Sequence, residues 1–223
     1  MSTTADFDRI RNELYTAVLG DVMDAIGLTT QFLPPEIRAI VPDKTIVGRA
    51  MTVQEADCAA DVGGRSGAAP FGLMFEALDD LEPGEIYICT GSTPTYALWG
   101  GLMSTRAQKL GASGAVLAGF HRDTREILKL EFPIFSMGSY AQDQRVRGRV
   151  IDFRCPIRFR NGCTALDGDL IVGDLDGVVV VPAQHERTIL EAAFAKVRGE
   201  NSVRDMILEG MSTVAIFNKT GIM

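Results

Sequence analysis

The sequence has few of the residues from which zinc sites and disulfide frameworks are built. It has two histidines, one tryptophan and four cysteines in 223 residues, and no two cysteines form a Cys-x-x-Cys pair. His121 and His185 lie far apart in the chain, which argues against a zinc site. In a chain of this length, the cysteines are expected to be reduced thiols.

The chain also lacks a run of lysine and arginine, and it lacks a long apolar segment. Its formal net charge is −7, so we do not expect a nucleic-acid groove or an anionic membrane surface as its main partner. No stretch approaches the roughly 20 apolar residues of a membrane span, and the start of the chain does not resemble a signal peptide. A soluble, cytoplasmic protein is therefore expected.

The hydrophobic content of 46% predicts one domain over residues 1–223, because it is ample for one sizeable core. Apolar residues at helical spacing predict helices over Asp6–Leu19, Asp21–Ile26, Pro70–Leu81 and Ala97–Leu110, and in the last third from Gln184. Runs of β-branched and apolar residues predict strands at Thr45–Val53, Glu85–Thr90, Gly114–Gly119, Ile134–Ser136, Arg149–Phe153, Ile157–Arg160, Leu170–Val172 and Val178–Val181.

Two junctions between a strand and a helix follow one another in the middle of the chain. The order of the Glu85–Thr90 strand, the Ala97–Leu110 helix and the Gly114–Gly119 strand predicts a crossover with parallel strands. At such junctions, free backbone amides and the positive end of the helix dipole face the crevice at the carboxyl edge of the sheet. We expect adjacent parallel strands to bring both junctions to the same crevice.

The two junctions carry residues suited to binding an anion and a cation. Gly100 and Gly101 either expose backbone amides to a ligand carboxylate or allow close helix packing. Arg122 can offer a planar fork to a carboxylate. Asp123 can bind a hard cation, although the run from Asp123 to Glu126 also fits a helix capping box. Arg65, in a Gly-rich segment, either brings a charge to a ligand or lies on a surface loop.

Several blocks of sequence resemble one superfamily. They are ALWGG (Ala97–Gly101), GASGAVLAG (Gly111–Gly119), the Arg122–Asp123 pair, FPIFS (Phe132–Ser136) and GDLIVGDLDGVVVVP (Gly168–Pro182). In this order they are similar to the signature blocks of the superfamily of regulator of ribonuclease activity A and the class II 4-hydroxy-4-methyl-2-oxoglutarate or 4-carboxy-4-hydroxy-2-oxoadipate aldolases.

This resemblance implies an α/β fold, an αββα sandwich of the swivelling phosphohistidine-domain type with a central parallel or mixed sheet. It implies a homotrimer or a dimer of trimers with sites between subunits. By the same resemblance, Arg122 binds substrate and Asp123 holds Mg²⁺ or Mn²⁺, largely through waters. Glu200, from a neighbouring subunit, would either approach those waters or lie on the solvated face of a helix. The carboxylate of a 2-oxo acid would meet the turn formed by Gly100, Gly101, Leu102 and Met103.

Gly101 departs from the aldolase pattern, because the aldolases carry an acid/base aspartate at the corresponding position. Retro-aldol cleavage needs a base for the hydroxyl proton, whereas β-decarboxylation needs only an electron sink and a later proton. His121 could carry the proton, or it could be a buried loop histidine with satisfied hydrogen bonds.

The resemblance and the junction residues together predict a divalent-metal-dependent carbon–carbon lyase on small anionic 2-oxo acids. It would cleave 4-hydroxy-2-oxo acids, decarboxylate substrates of the oxaloacetate type, or do both. The alternative is a non-catalytic regulatory protein similar to the ribonuclease regulator. The retained Asp123 favours the enzyme, and Gly101 favours the alternative.

Overall fold

An eight-stranded mixed sheet forms the centre of the computed structural model, which describes residues 4–41, 44–58 and 70–222. The strands are β1 (Arg38–Ala39), β2 (Ile46–Asp57), β3 (Glu85–Thr90), β4 (Ala97–Trp99), β5 (Gly114–Leu117), β6 (Phe120–His121), β7 (Ile134–Ser136), β8 (Gly148–Phe153), β9 (Ile157–Arg158), β10 (Thr164–Ala165), β11 (Leu170–Asp174) and β12 (Gly177–Val181). The helices are α1 (Thr4–Glu13), α2 (Thr16–Ala25), α3 (Met74–Asp79), α4 (Gly101–Leu110), α5 (Thr124–Leu130), α6 (Glu186–Leu208) and α7 (Thr213–Thr220).

The sheet has the order β1-β7-β5-β3-β2-β11-β12, and β8 also pairs with β2. Strands β2, β3, β5 and β7 run parallel, whereas β1, β8, β11 and β12 add antiparallel pairs. The predicted α/β fold with a mixed sheet is confirmed, and so is the parallel crossover between β3 and β5. The Asp-Gly pair between the last two predicted strands favours a hairpin turn, and β11 and β12 form this hairpin, with Asp174 opposite Gly177.

Apolar side chains pack on both faces of this sheet. One cluster joins β2, β3 and β5 to α3, α4 and α5, and it contains the tryptophan, Trp99. A second cluster joins β11 and β12 to α1, α2 and α6. On the opposite face, a third cluster includes residues of β9 and β10. All six residues of β3 are buried, which agrees with a strand covered on both faces.

The first predicted helix, Asp6–Leu19, is wrong in its extent, because the helix is interrupted between α1 and α2. Tyr15 is extended, with φ −141° and ψ 161°. The carboxylate of Asp174, from the end of β11, accepts hydrogen bonds from Thr16 N and Thr16 Oγ1, both at 2.7 Å. A side chain distant in sequence therefore accepts a hydrogen bond from a free backbone N–H of the first turn of α2. The helix then continues to Ala25 and includes most of the predicted second helix.

The start of the predicted Ala97 helix is also wrong, because its first three residues form β4. Ala97 N donates to Gln142 O at 2.8 Å, and Trp99 O accepts from Arg122 N at 2.9 Å. These long-range backbone bonds hold Ala97–Trp99 extended, so the helix begins only at Gly101.

The predicted Pro70 helix begins late for a similar reason. Phe71 O accepts from Val150 N at 3.1 Å, and Leu73 N donates to Val150 O at 3.0 Å. Pairing with β8 therefore occupies this backbone, and α3 begins at Met74.

Two other predictions concern the loop after β2 and the C-terminal third. The Gly-rich segment with Arg65 lies outside the described residues. The C-terminal third is helical, as predicted, and forms α6 and α7. Among the helices that the structure describes, none combines the length and the apolar composition of a membrane span.

Candidate active site

The parallel pair of β4 and β6 brings the two strand–helix junctions together. Trp99 lies opposite His121 in this pair, so Gly100 and Gly101 follow one strand where Arg122 and Asp123 follow the other. Gly101 N donates to Asp123 Oδ2 at 3.0 Å. The expected shared crevice is therefore present, although a small separate sheet forms it rather than the edge of the main sheet.

The carboxylate of Asp123 caps α4 and not its own helix. Asp123 precedes α5 in a left-handed conformation, with φ 59° and ψ 34°, and its side chain makes no capping bond to α5. The Glu126 carboxylate binds Lys129 Nζ at 2.8 Å instead of reaching back. The capping-box interpretation is therefore wrong, and the left-handed backbone at Asp123 is a strained conformation that directs its side chain to the neighbouring helix.

The two glycines allow this close approach. A Cβ atom at Gly100 would lie 2.7 Å from Asp123 Oδ2, and one at Gly101 would lie 3.3 Å from Asp123 Cβ. Because Asp123 already binds the Gly101 amide, a substrate carboxylate would have to use the next amides, those of Leu102 and Met103. Helix geometry leaves both without an intrahelical acceptor.

Arg122 lies between two carboxylates. Its Nη1 is 3.1 Å from Asp143 Oδ1, and its Nε is 3.9 Å from Asp123 Oδ2. The three side chains are partly exposed, at 40% for Arg122, 46% for Asp123 and 36% for Asp143. Asp143 was not identified from the sequence, because it lies in a polar segment with no spacing relation to the Arg-Asp pair. Its position depends on an isolated bridge to Ala97.

A pocket of about 220 Å³ opens beside this group. One end is polar and is formed by Arg122, Asp123, Asp143 and Gln144. The rest of the lining is largely apolar and comes from Phe71, Met74, Phe75, Ala97, Leu98, Trp99, Gly100, Leu102 and Met103. Two more open pockets meet at Asp123, one along Ser139 and Tyr140 and the other along α4 and α5. Asp123 therefore lies where three concave surfaces join.

His121 lies beneath the site rather than in it. Its side chain is buried, with Nδ1 2.8 Å from Ser136 Oγ and Nε2 3.0 Å from Thr124 Oγ1. Burial lowers the pKa of the imidazole, so the ring is neutral near pH 7. His121 does not line the three pockets at Asp123, and the structure does not bring it together with the Arg122 fork. Its predicted proton-transfer role stays a prediction.

Glu200 lies on α6, outside these pockets. Its carboxylate accepts a hydrogen bond from the Tyr15 hydroxyl and lies 3.6 Å from Lys196 Nζ. The bond to Glu200 is the main reason that the pKa of Tyr15 is raised to about 12. Within one chain, Glu200 is therefore not brought to Asp123, and its metal role stays a prediction about a neighbouring subunit.

Asp123 supplies a hard oxygen for a cation but not a complete cage. Within the described ranges, no group of three or more His, Cys, Asp or Glu side chains could hold a metal ion. Asp123 Oδ2 is occupied by the Gly101 amide, which leaves Oδ1 for a cation. This donor set fits Mg²⁺ or Mn²⁺ that keeps most of its waters, because such ions are often held by one or two carboxylates plus substrate.

A buried carboxyl group lies behind the polar end of the 220 Å³ pocket. Gln144 Nε2 donates to Glu55 Oε2 at 2.7 Å, and Glu55 is 1% exposed. Burial raises the pKa of Glu55 to about 8. Glu55 was also missed from the sequence, because it lies beyond the predicted Thr45–Val53 strand in a short polar run with Gln54 and Asp57.

Comparison with known proteins shows which family and which relatives the chain resembles. The family model described as RraA-like, Aldolase/RraA, matches residues 16–180. A protein of Halalkalibacterium halodurans, named provisionally as a 4-hydroxy-4-methyl-2-oxoglutarate aldolase, is 32% identical over 182 residues. The match covers 81% of this chain and 79% of that protein.

Solved structures show the same fold. An uncharacterised protein from Pseudomonas syringae pv. tomato superposes with a TM-score of 0.85 at 26% identity, covering 98% of this chain and 95% of that one. RraAS2 of Streptomyces coelicolor, described as an unusual member of the RNase ES inhibitor RraA family, superposes with a TM-score of 0.78. It is 21% identical, and the match covers 92% of this chain and 98% of that chain.

Proposed function

Since the chain belongs to the RraA-like family, Aldolase/RraA, we propose that it is a divalent-metal-dependent carbon–carbon lyase acting on small 2-oxo acids. The observation that carries the proposal is the pairing of Arg122 and Asp123 at the N-terminus of α4, at the polar end of a pocket. This arrangement offers a carboxylate-binding fork and a cation-binding oxygen side by side.

Arg122 would bind the carboxylate of the 2-oxo acid. Its guanidinium has five N–H donors, and the contact with Asp143 at 3.1 Å involves one nitrogen, so donors remain for a substrate. The free amides of Leu102 and Met103 would add hydrogen bonds at the positive end of the α4 dipole. These groups would orient the substrate with its 2-oxo group towards Asp123.

Asp123 would hold Mg²⁺ or Mn²⁺ through Oδ1 while Oδ2 keeps the Gly101 amide. When bound, the cation would supply Lewis-acid stabilisation of the negative charge that develops on the 2-oxo oxygen as the carbon–carbon bond breaks. The bond between Asp123 and Gly101 holds the carboxylate in one orientation, so little ordering is left to occur during the reaction.

The test is pyruvate release from a panel of 4-hydroxy-2-oxo acids and β-carboxylated 2-oxo acids, with Mn²⁺ or Mg²⁺ added. We expect release that a chelator abolishes and that added metal restores, and we expect Asp123→Asn to remove it. Release that continues undiminished in excess chelator, or in Asp123→Asn, would refute the proposal.

The second candidate is a non-catalytic binding protein, and Gly101 is the observation that favours it. Gly101 has no side chain, and it occupies the position at which the aldolases carry their acid/base aspartate. Calorimetry with oxalate, a mimic of the pyruvate enolate, separates the two functions. Binding of oxalate only when metal is present supports the lyase, and no binding under either condition supports the binding protein.

We further propose that the protein assembles as a homotrimer or a dimer of trimers, with the site at a subunit boundary. Leu102 is 87% exposed and Phe75 is 54% exposed, and both line the 220 Å³ pocket. Large apolar side chains exposed beside a pocket are typical of a surface that another chain covers. Light scattering should give three or six copies, and a monomer at assay concentration would contradict this.

A further inference from the structure

We propose that Asp143 is the general base of aldol cleavage, in the role that Gly101 cannot fill. The inference rests on the proposed lyase function and identifies a residue of the same site. Retro-aldol cleavage requires a base that reaches the substrate hydroxyl. Apart from Asp123, Asp143 is the carboxylate that lines the 220 Å³ pocket.

Arg122 links Asp143 to the substrate position. Arg122 Nη1 contacts Asp143 Oδ1 at 3.1 Å, while Nε of the same guanidinium faces Asp123 Oδ2 at 3.9 Å. A substrate bound by Arg122 and oriented towards Asp123 therefore lies within the space that Asp143 lines.

The segment that carries Asp143 is held from three directions. Ala97 N donates to Gln142 O at 2.8 Å, and Arg147 Nη1 donates to Asp143 O at 2.9 Å. Gln144 Nε2 donates to the buried Glu55 at 2.7 Å. An ordinary exposed ion pair contributes only about 0–1 kcal/mol to stability, and it does not require a backbone fixed by several hydrogen bonds. A carboxylate with a fixed backbone is what proton transfer at a defined atom requires.

Other proton carriers near the site are less suitable. Glu126 is the closest rival, because its Cβ lies 3.4 Å from where a Cβ of residue 101 would be. Its carboxylate is paired with Lys129, is 59% exposed and faces the separate pocket along α4 and α5. Both ring nitrogens of His121 already have partners below the site.

In the proposed step, Asp143 takes the proton of the C4 hydroxyl. The O–H electron pair forms the new C4 carbonyl as the C3–C4 bond breaks, and the electrons of that bond pass to C3 and the adjoining 2-oxo group. Asp143 then returns the proton to C3, which becomes the methyl group of pyruvate. The proton is conserved, and no further reactant is needed.

The experiment compares two reactions in Asp143→Asn and in the wild-type protein, with Mn²⁺ present. Aldol cleavage of a 4-hydroxy-2-oxo acid should fall by about 10²–10⁴-fold in kcat, the usual contribution of a general base. Decarboxylation of oxaloacetate should keep most of its rate, because it begins with no hydroxyl proton to remove. Loss of the contact with Arg122 would affect substrate binding in both reactions equally. A larger fall in the rate of aldol cleavage than in the rate of decarboxylation therefore measures the contribution of Asp143 as a base.

Two further variants complete the test. Asp143→Glu should recover part of the aldol activity, because it restores a carboxylate. Asp79→Asn is the matched control, since Asp79 also forms a partly exposed pair with an arginine, Arg106, at 2.7 Å. It should leave both reactions unchanged. Metal-dependent oxalate binding, measured by calorimetry, should persist in Asp143→Asn.

The outcomes separate this inference from the proposed function. If the wild-type protein releases no pyruvate from any substrate, the lyase function fails. If it cleaves aldols and Asp143→Asn does so equally well, only the role of Asp143 is refuted, and Glu126→Gln then tests the rival carboxylate. A wild-type protein that decarboxylates oxaloacetate but cleaves no aldol would also overturn the role of Asp143.

Discussion

Substitution of Asp123 by asparagine and by alanine separates its structural role from its proposed metal-binding role. The structural role is the cap on α4, where Oδ2 accepts from Gly101 N at 3.0 Å. Asparagine can keep that bond and also tolerates the left-handed backbone at φ 59°. Alanine loses the bond and is strained in that conformation.

The expected magnitudes follow from these two terms. Loss of a helix cap costs about 1 kcal/mol. A left-handed conformation costs an ordinary residue roughly 1–2 kcal/mol. Asp123→Ala should therefore lower the free energy of unfolding by about 2–3 kcal/mol, which for a chain of this size lowers Tm by roughly 4–12 °C. Asp123→Asn should lose less than about 1 kcal/mol, mainly from the lost charge at the helix N-terminus.

The assay is thermal unfolding followed by circular dichroism, together with metal-dependent pyruvate release measured well below both Tm values. We expect a small stability loss and a complete activity loss in Asp123→Asn, because a neutral amide is a poor ligand for Mg²⁺ or Mn²⁺. Equal destabilisation of the two variants would refute the capping argument. Full metal-dependent activity in Asp123→Asn would refute the assignment of the cation to Asp123.

Two further predictions concern buried charge. The pKa of Glu55 is about 8 in the folded protein against 4.5 for a free side chain, so the folded state binds the extra proton. Stability should therefore fall as pH rises from about 4.5 to about 8, by at most about 1.4 kcal/mol per pH unit. Glu55→Gln should remove this slope in urea unfolding, and an unchanged slope would contradict it. Arg49 binds Glu186 at 2.6 and 2.9 Å, with side chains 14% and 7% exposed. Arg49→Met should lower the free energy of unfolding in urea by about 3–5 kcal/mol, and adding Glu186→Leu should recover most of this loss. A loss below about 1 kcal/mol in Arg49→Met would show that the pair is not effectively buried.

Local patterns were sufficient to predict much of the sheet and the two strand–helix junctions that the structure brings together. The apolar runs of β3 and β5 and the helix between them predict a parallel crossover, and the structure contains it. The Asp-Gly turn predicts the β11–β12 hairpin, which also forms. Arg122 and Asp123 could be identified because they follow a strand. The position of such a strand–helix junction depends on residues that are neighbours in sequence.

Three features could not be predicted, because groups distant in sequence decide them. The helix expected from Ala97 begins at Gly101, since the Ala97 amide binds Gln142 O. Asp143 was not identified, because it lies next to Arg122 only after the segment of Gln142 and Asp143 has paired with Ala97. Glu55 appears in the sequence as an ordinary polar residue beyond a predicted strand, and only the packing of the core buries it and raises its pKa.

The sequence by itself determined most strands of the main sheet, where the two junctions lie and that Gly101 carries no acid. Hydrophobic periodicity and the conformational freedom of glycine are local properties, so they can be read from consecutive residues. The tertiary structure alone decided that the carboxylate of Asp123 turns to cap α4 and that Asp143 lies beside the fork of Arg122. Hydrogen bonds and ion pairs between distant segments depend on the complete packing of the chain, and at this site they set which Asp123 oxygen binds the Gly101 amide and which carboxylate contacts Arg122.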